Sequence, residues 1–171
     1  MKTTCIQSIV AIVLKELRLE RGLEPAQIAD FINKTSSAVA KIEMGRMTLS
    51  LESLYAISFA YGIPGSQVLF AAEHYAQLLA TTNDWYISRN RPEVDDLVSA
   101  ASMYYKSTEF QNRQIRVNNH GSTSILYVPQ PVMSVMYQPP EVFQFILGVK
   151  HWAKAKTEPV RPAPKARCAS K

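Results

Sequence analysis

The stretch TSSAVAKIEMGR, Thr35–Arg46, decides the fold of the amino-terminal half of the chain. It opens on a threonine, whose hydroxyl can cap a helix, and its Gly45 suits the left-handed position just beyond a helix C-terminus. Val39 and Ile42 are three residues apart and therefore share one helical face. The stretch predicts a short helix over about 36–44 with one apolar side.

The segment before it predicts a second helix that meets the first at a steep angle. Pro25 suits a first helical turn, and Asn33 accepts the positive φ of a tight turn. Two helices joined in this way need a small residue where they cross, here Ala29, and apolar anchors behind both. The anchors are Ile28, Ile32 and Ile42. Together with Val39, these residues meet the requirements of a helix-turn-helix.

Three further helices are predicted around this pair. The first ends at Gly22 and is expected to be amphipathic, with apolar residues on one face. That face consists of Ile6, Ile9, Val10, Val13 and Leu17. Ser50 caps a fourth helix that ends at Gly62, and Pro64 opens a fifth. Five short-linked helices predict a compact helical domain over residues 5–80.

The charge of the chain is unevenly distributed. A chain of 171 residues with 47% hydrophobic residues can bury a core. Residues 1–70 carry seven basic and six acidic side chains, residues 71–149 five and seven, and residues 150–171 seven and one. The excess of the +5 net charge therefore lies in the last segment. Residues 151–171 are predicted to be a basic disordered tail, which either holds phosphates nonspecifically or only aids solubility.

Motifs for catalysis and metal binding are missing from the sequence. Cys5 and Cys168 form no CxxC pair, and the histidines occur in no HExxH pattern. No serine lies in a GxSxG elbow, and no glycine-rich phosphate loop occurs. No apolar run approaches the length of a membrane span. We therefore expect a cytoplasmic protein that is not an enzyme, with no catalytic residues, metal, cofactor or membrane contact.

Residues 9–79 resemble the Cro/cI repressor type of helix-turn-helix domain, also called the Xre family. The most specific pieces are LKELRLERGL, the IADFI that contains Ala29, KIEMG, and SLESLYAISFAYGI. The resemblance implies a five-helix domain whose third helix enters the major groove of double-stranded DNA.

The resemblance also implies roles for ten residues. The base contacts fall on Ser36, Ser37, Ala40 and Lys41. The backbone phosphate contacts fall on Gln27, Lys34, Arg46 and Thr48. Arg18 and Glu43 match a structural ion pair between the first and third helices, and the alternative is that both are exposed and contribute little.

Residues 81–150 carry no resemblance and are expected to form a smaller α or α+β region that serves dimerisation or sensing. A helix is predicted from Asn90, as cap, to Lys106, with Pro92 in its first turn. A last helix with a broad apolar face follows Pro140. Three short strands are predicted at 113–117, 122–128 and 132–137.

The function expected from these patterns is a sequence-specific transcriptional regulator, a repressor that binds its operator as a homodimer. One short helix with small base-contacting side chains distinguishes poorly between DNA sequences. A dimer that binds two half-sites multiplies this discrimination. An antitoxin or adaptor that binds a protein partner through its second half, and regulates its own operon, is the alternative. An enzyme subunit or ligand-binding protein that retains an unused helix-turn-helix is a third class. A protein partner or a small-molecule effector at the second half is left open.

Overall fold

The computed structural model describes residues 1–82, 84–113 and 140–148, and it confirms a mainly helical chain. The elements in chain order are β1 (Lys2–Cys5), α1 (Ile6–Glu20), α2 (Pro25–Phe31), α3 (Ser36–Glu43), α4 (Leu51–Ala60), α5 (Gly65–Thr81), β2 (Trp85–Ser88), α6 (Asp96–Lys106) and α7 (Glu141–Ile146). Residues 108–113 are also helical. Arg113 is therefore not the start of a strand, and the rest of the three predicted strands and the predicted tail lie outside the described residues.

The turns on either side of α3 follow the sequence signals closely. Asn33 has φ 50° and Gly45 has φ 64°, so both adopt the left-handed conformation that ends a helix. The N–H of Lys34 donates to the carbonyl of Ala29 at 3.0 Å, and the N–H of Arg46 donates to the carbonyl of Lys41 at 2.8 Å. These bonds close the ends of α2 and α3, and the predicted helix ends there are confirmed.

Helix α1 lies at the centre of the described residues, and four of the five residues predicted to form its apolar face are buried. Ile6, predicted to be part of that face, is 36% exposed. The residues buried along α1 include Ile9, Val10, Ala11, Ile12, Val13, Leu14 and Leu17. The reason is tertiary: α3, α5 and α6 all pack on α1, so its different sides are covered by different neighbours.

A short parallel pair of strands, which the sequence analysis did not predict, joins the amino terminus to the segment after α5. Lys2 pairs with Trp85 and Cys5 with Ser88. Because β1 runs directly into α1, this pairing fixes the start of the central helix.

Helix α6 begins later than predicted. Asn90 is not its cap: the N-cap is Asp95, whose Oδ1 accepts from the N–H groups of Leu97 and Val98 at 3.1 Å each. The same carboxylate accepts from Thr4 Oγ1 at 2.9 Å and from Ser8 Oγ at 2.6 Å. The choice of cap therefore follows from contacts with β1 and α1, and Pro92 lies outside the helix.

The second half of the described chain packs on the same core as α1. Tyr104 of α6 and Phe143 of α7 are fully buried. Arg113 Nη1 lies 2.6 Å from Glu16 Oε2, and the Tyr105 hydroxyl donates to Glu16 Oε1 at 2.8 Å. A buried carboxylate of α1 thus receives two donors from the second half.

Candidate nucleic-acid interface

One side of α3 faces solvent. The residues there include those predicted to contact bases, Ser36, Ser37, Ala40 and Lys41. Ser36, Ser37 and Lys41 are exposed and Ala40 is partly exposed. Their spacing brings them to a single side of the helix. The opposite side is buried in the core.

Met44 continues the exposed row and was missed by the sequence analysis, which treated it only as the helix end. It is 40% exposed and lies one turn beyond Ala40. That spacing was the signal that could have found it. An exposed thioether or methyl group at this place is suited to apolar contact with a thymine methyl.

The amino end of α3 presents free N–H groups. Thr35 caps the helix, with its Oγ1 accepting from the N–H of Ala38 at 3.2 Å. The N–H groups of Ser36 and Ser37 precede the first intrahelical bond and have no helical acceptor. The helix dipole makes this end favourable for a phosphate oxygen.

The residues predicted to contact the DNA backbone flank α3. They are Gln27, Lys34, Arg46 and Thr48, and all four are exposed. Lys34 lies in the turn before α3, and Arg46 and Thr48 lie in the connection after it. Gln27 Oε1 accepts from the N–H of Glu24 at 2.8 Å, which ties this side chain to the start of α2.

Arg18 of α1 and Glu43 of α3 lie in direct contact on the buried side of α3. Arg18 Nε donates to Glu43 Oε1 at 2.6 Å and Nη2 donates to Oε2 at 2.9 Å, while Nη1 donates to the Leu23 carbonyl at 2.8 Å. Both side chains are buried, at 9% and 6% exposure. Burial opposes the charge of Arg18, but the hydrogen bonds and charge of Glu43 outweigh it and raise the pKa of Arg18. The buried pair therefore anchors α3 to α1.

Comparison with known families identifies this arrangement. The family model described as helix-turn-helix matches residues 14–68. Those residues form a Cro/cI-type helix-turn-helix domain. Domains of this family bind DNA, and the match supports a DNA-binding regulator in general terms. Neither the curated proteins nor the solved structures compared with the chain give a match.

The helix-turn-helix domain contacts the second half of the chain at the end of its recognition helix. A Cβ placed on Gly45 would lie 3.3 Å from Val98 Cγ2 of α6 and 3.5 Å from Ser8 Oγ. The end of α3 therefore rests against α6, and only glycine fits both this close approach and the positive φ.

Lys15 of α1 joins the helix-turn-helix domain to the second half of the chain. Its Nζ lies 3.6 Å from the ring centroid of Tyr105, a cation–π contact. Burial lowers the pKa of Lys15, and the nearby charge of Glu43 opposes this shift. The ammonium group of Lys15 thus interacts with Glu43 of α3 through its charge and with Tyr105 of α6 through the ring contact.

Within residues 1–82, 84–113 and 140–148, no group of three or more His, Cys, Asp or Glu could hold a metal ion. Among the same residues, no single helix is long and apolar enough to cross a membrane. The bent pair of α4 and α5, at 106°, passes that test together by length and composition. His74 packs edge-on to Tyr75 at 5.7 Å between ring centroids.

Proposed function

We propose that the protein is a sequence-specific repressor that binds double-stranded DNA as a homodimer, with the helix at about 36–44 in the major groove. The observation that carries the proposal is the two-sided character of α3. Its outer side presents small polar and cationic side chains, and its inner side is held to α1 by the buried pair of Arg18 and Glu43. A reading helix fixed in this way meets DNA without reorganisation.

The readout follows from the side chains on the outer side. Hydroxyl groups of Ser36 and Ser37 can donate to or accept from several base edges, and Lys41 can donate to guanine or phosphate. The Ala40 methyl suits a thymine methyl. These short groups require close approach of the helix to the groove floor.

Phosphate contacts set that approach. Lys34 and Arg46 flank α3, Thr48 follows it, and the N–H groups at its amino end favour an anion. Because Gln27 Oε1 is bonded to the Glu24 N–H, its Nε2 is the proposed phosphate donor.

The division of the chain that we propose assigns DNA reading to residues 5–80 and dimerisation or sensing to residues 81–150. Residues 151–171 add nonspecific attraction to phosphate through their positive charge. A cytoplasmic location follows from the proposed access to DNA.

The test is binding to DNA upstream of the gene against random DNA across a salt series. Ser37→Ala/Lys41→Ala is compared with Ser66→Ala/Lys106→Ala, which makes the same changes at exposed positions of α5 and α6. We expect a preference for the upstream DNA that the first variant abolishes and the second retains. Equal binding to both DNAs, lost on deletion of residues 151–171, would contradict the proposal.

An antitoxin or adaptor function is the second candidate. It is supported by the exposed apolar residues Val94 and Met103 near and on α6, at 70% and 62% exposure. A specific protein partner that co-purifies with the full chain, and is lost in Val94→Lys/Met103→Lys, would support it. Unchanged recovery of that partner with the variant would count against it.

A further inference from the structure

Helix α4 has apolar residues on two opposite sides. Leu54 and Ile57 are buried in the core. On the other side, Leu51, Tyr55 and Phe59 are 65%, 53% and 80% exposed. Each is one turn from the next, so they form a continuous outward row, which we call the α4 row. Packing in the core accounts for the apolar character of the buried side of α4, but it does not account for the apolar residues on the exposed side.

The segment of the chain that carries the α4 row is poor in charge. Residues 47–72, which include all of α4 and the first half of α5, contain one charged residue, Glu52. The centres of protein interfaces are depleted in charge and enriched in aromatic residues. This composition also explains why α4 and α5 together pass a hydropathy test for a membrane span.

Tyr55, the central residue of the α4 row, is held in place before any partner arrives. A Cβ on Gly65, the first residue of α5, would lie 3.3 Å from three atoms of the Tyr55 ring. The ring therefore rests on the backbone of α5. A side chain already ordered in the free protein loses little entropy on binding.

A cavity of about 250 Å³ lies beside the row. Leu51 forms part of its wall, together with Ile6, Val10, Leu54 and Leu69. A protein cavity of about 150 Å³ accepts a benzene ring, so this one has room for an aromatic side chain.

We propose that the α4 row is the contact through which a second copy of this chain binds. The inference rests on the proposed function, which requires a dimer. It places the dimer contact in the DNA-binding domain, and of the two roles proposed for residues 81–150 it leaves them sensing. Within residues 47–72 each copy would bring only its Glu52 carboxylate to the contact, so repulsion from this segment is small. The face belongs to the domain that carries α3, and it can therefore set the spacing of two recognition helices, roughly 34 Å for adjacent half-sites.

The exposed area agrees with a dimer contact. Two aromatic rings and a leucine at these exposures offer roughly 400 Å² of apolar surface per copy. A standard interface buries about 800 Å² per partner, with a few central residues giving most of the affinity. The row supplies such a centre, and the cavity beside it receives a side chain of the other copy.

Sedimentation of the full chain over a concentration series tests the proposal. Tyr55→Lys/Phe59→Lys places two charges in the row, and Val94→Lys/Met103→Lys places two at exposed apolar positions near and on α6. We expect the wild type to dimerise, the row variant to dissociate with a dissociation constant raised roughly 30-fold or more, and the α6 variant to match the wild type. Circular dichroism checks that each variant is folded.

DNA fragments with one or two half-sites separate this inference from the proposed function. The row variant should bind a single half-site as well as the wild type does, and should lose only the added affinity of the second half-site. A wild-type dimer that shows no preference for the upstream DNA would refute the proposed function and leave the inference standing.

Three results would overturn the inference. The first is a row variant that stays dimeric. The second is dissociation by the α6 variant, which would move the contact to the second half. The third is a monomeric wild type, including one whose row binds phosphatidylcholine–phosphatidylglycerol vesicles and loses that binding in the row variant.

Discussion

Helix α1 holds the recognition helix and the second half of the chain through two buried ion pairs of opposite polarity. Arg18 binds Glu43 of α3, and Glu16 binds Arg113 beyond α6. One pair stays within the helix-turn-helix domain, whereas the other joins residues 97 positions apart. The difference teaches that the position of the reading helix and the docking of the second half depend on the same central helix.

The two pairs differ in how their charges are satisfied. Arg18 donates two hydrogen bonds to Glu43, from Nε and Nη2, and a third from Nη1 to the Leu23 carbonyl. Glu16 is instead the shared acceptor of Arg113 and Tyr105. Loss of the first pair should therefore free a DNA-reading element, and loss of the second should loosen the second half.

Glu43→Ala is the strongest test of this comparison. It leaves Arg18 buried without its carboxylate, and we expect a loss of about 4 kcal/mol in the free energy of unfolding. DNA binding should fall as well, because α3 loses its anchor. Urea denaturation measures the first effect and fluorescence anisotropy the second. Glu52→Ala, the same change at an exposed position of α4, should alter stability by less than about 0.5 kcal/mol. A loss no larger than that of this control would break the comparison.

Glu16→Ala should destabilise by about 3 kcal/mol, because Arg113 and Tyr105 lose a buried acceptor. The effect is expected to be smaller than for Glu43 because removal of Glu16 also relieves repulsion of the nearby Glu20 carboxylate. Protein that remains folded should bind DNA normally. If DNA affinity fell as far in Glu16→Ala as in Glu43→Ala, the two ion pairs would not act separately on DNA binding and on the docking of the second half. Glu109→Ala, exposed near the same segment, serves as the control.

Glu20, which lies close to the second pair, makes the stability of the protein depend on pH. Burial, with a contribution from Glu16, raises the pKa of Glu20 from 4.5 to about 7. The folded state therefore binds a proton more readily than the unfolded state, and this group lowers stability progressively as pH rises from 4.5 to 7. Glu20→Gln should remove that fall and stabilise the protein by about 2 kcal/mol above pH 7. Thermal unfolding of wild type and variant across this range measures it, and parallel pH profiles would contradict the assignment.

Gly45→Ala tests the direct contact between the two regions and should cost about 1 to 2 kcal/mol. Part of the cost is the positive φ, and part is the approach of the new methyl group to Val98. Gly22→Ala separates these parts, since Gly22 has φ 63° and no atom within 4 Å of an added Cβ. A denaturation midpoint equal in the two variants would mean that the contact with α6 contributes nothing.

Local signals predicted the helix-turn-helix well. Thr35, Asn33 and Gly45 act through hydrogen bonds and φ values within a few residues, and such features can be read from sequence. The four residues predicted on the exposed side of α3 came from the resemblance to the family, and Met44, which helical spacing could have added, was overlooked. The pairing of Arg18 with Glu43 came only with the resemblance to the family.

Long-range contacts could not be predicted in this way. Asn90 and Asp95 are both good caps, and hydrogen bonds from Thr4 and Ser8 select Asp95. The pairing of β1 with β2 joins two four-residue segments from distant parts of the chain, without a pattern that links them. The burial of α1 on several sides likewise depends on neighbours that its own periodicity does not reveal.

Amide hydrogen exchange of the full chain with and without its upstream DNA tests the central claim most directly. We expect DNA to protect amides from exchange mainly in residues 35–48, which contain the amino end of α3, its exposed side and the connection that follows. Protection confined to residues 150–171, with no change in 35–48, would contradict it.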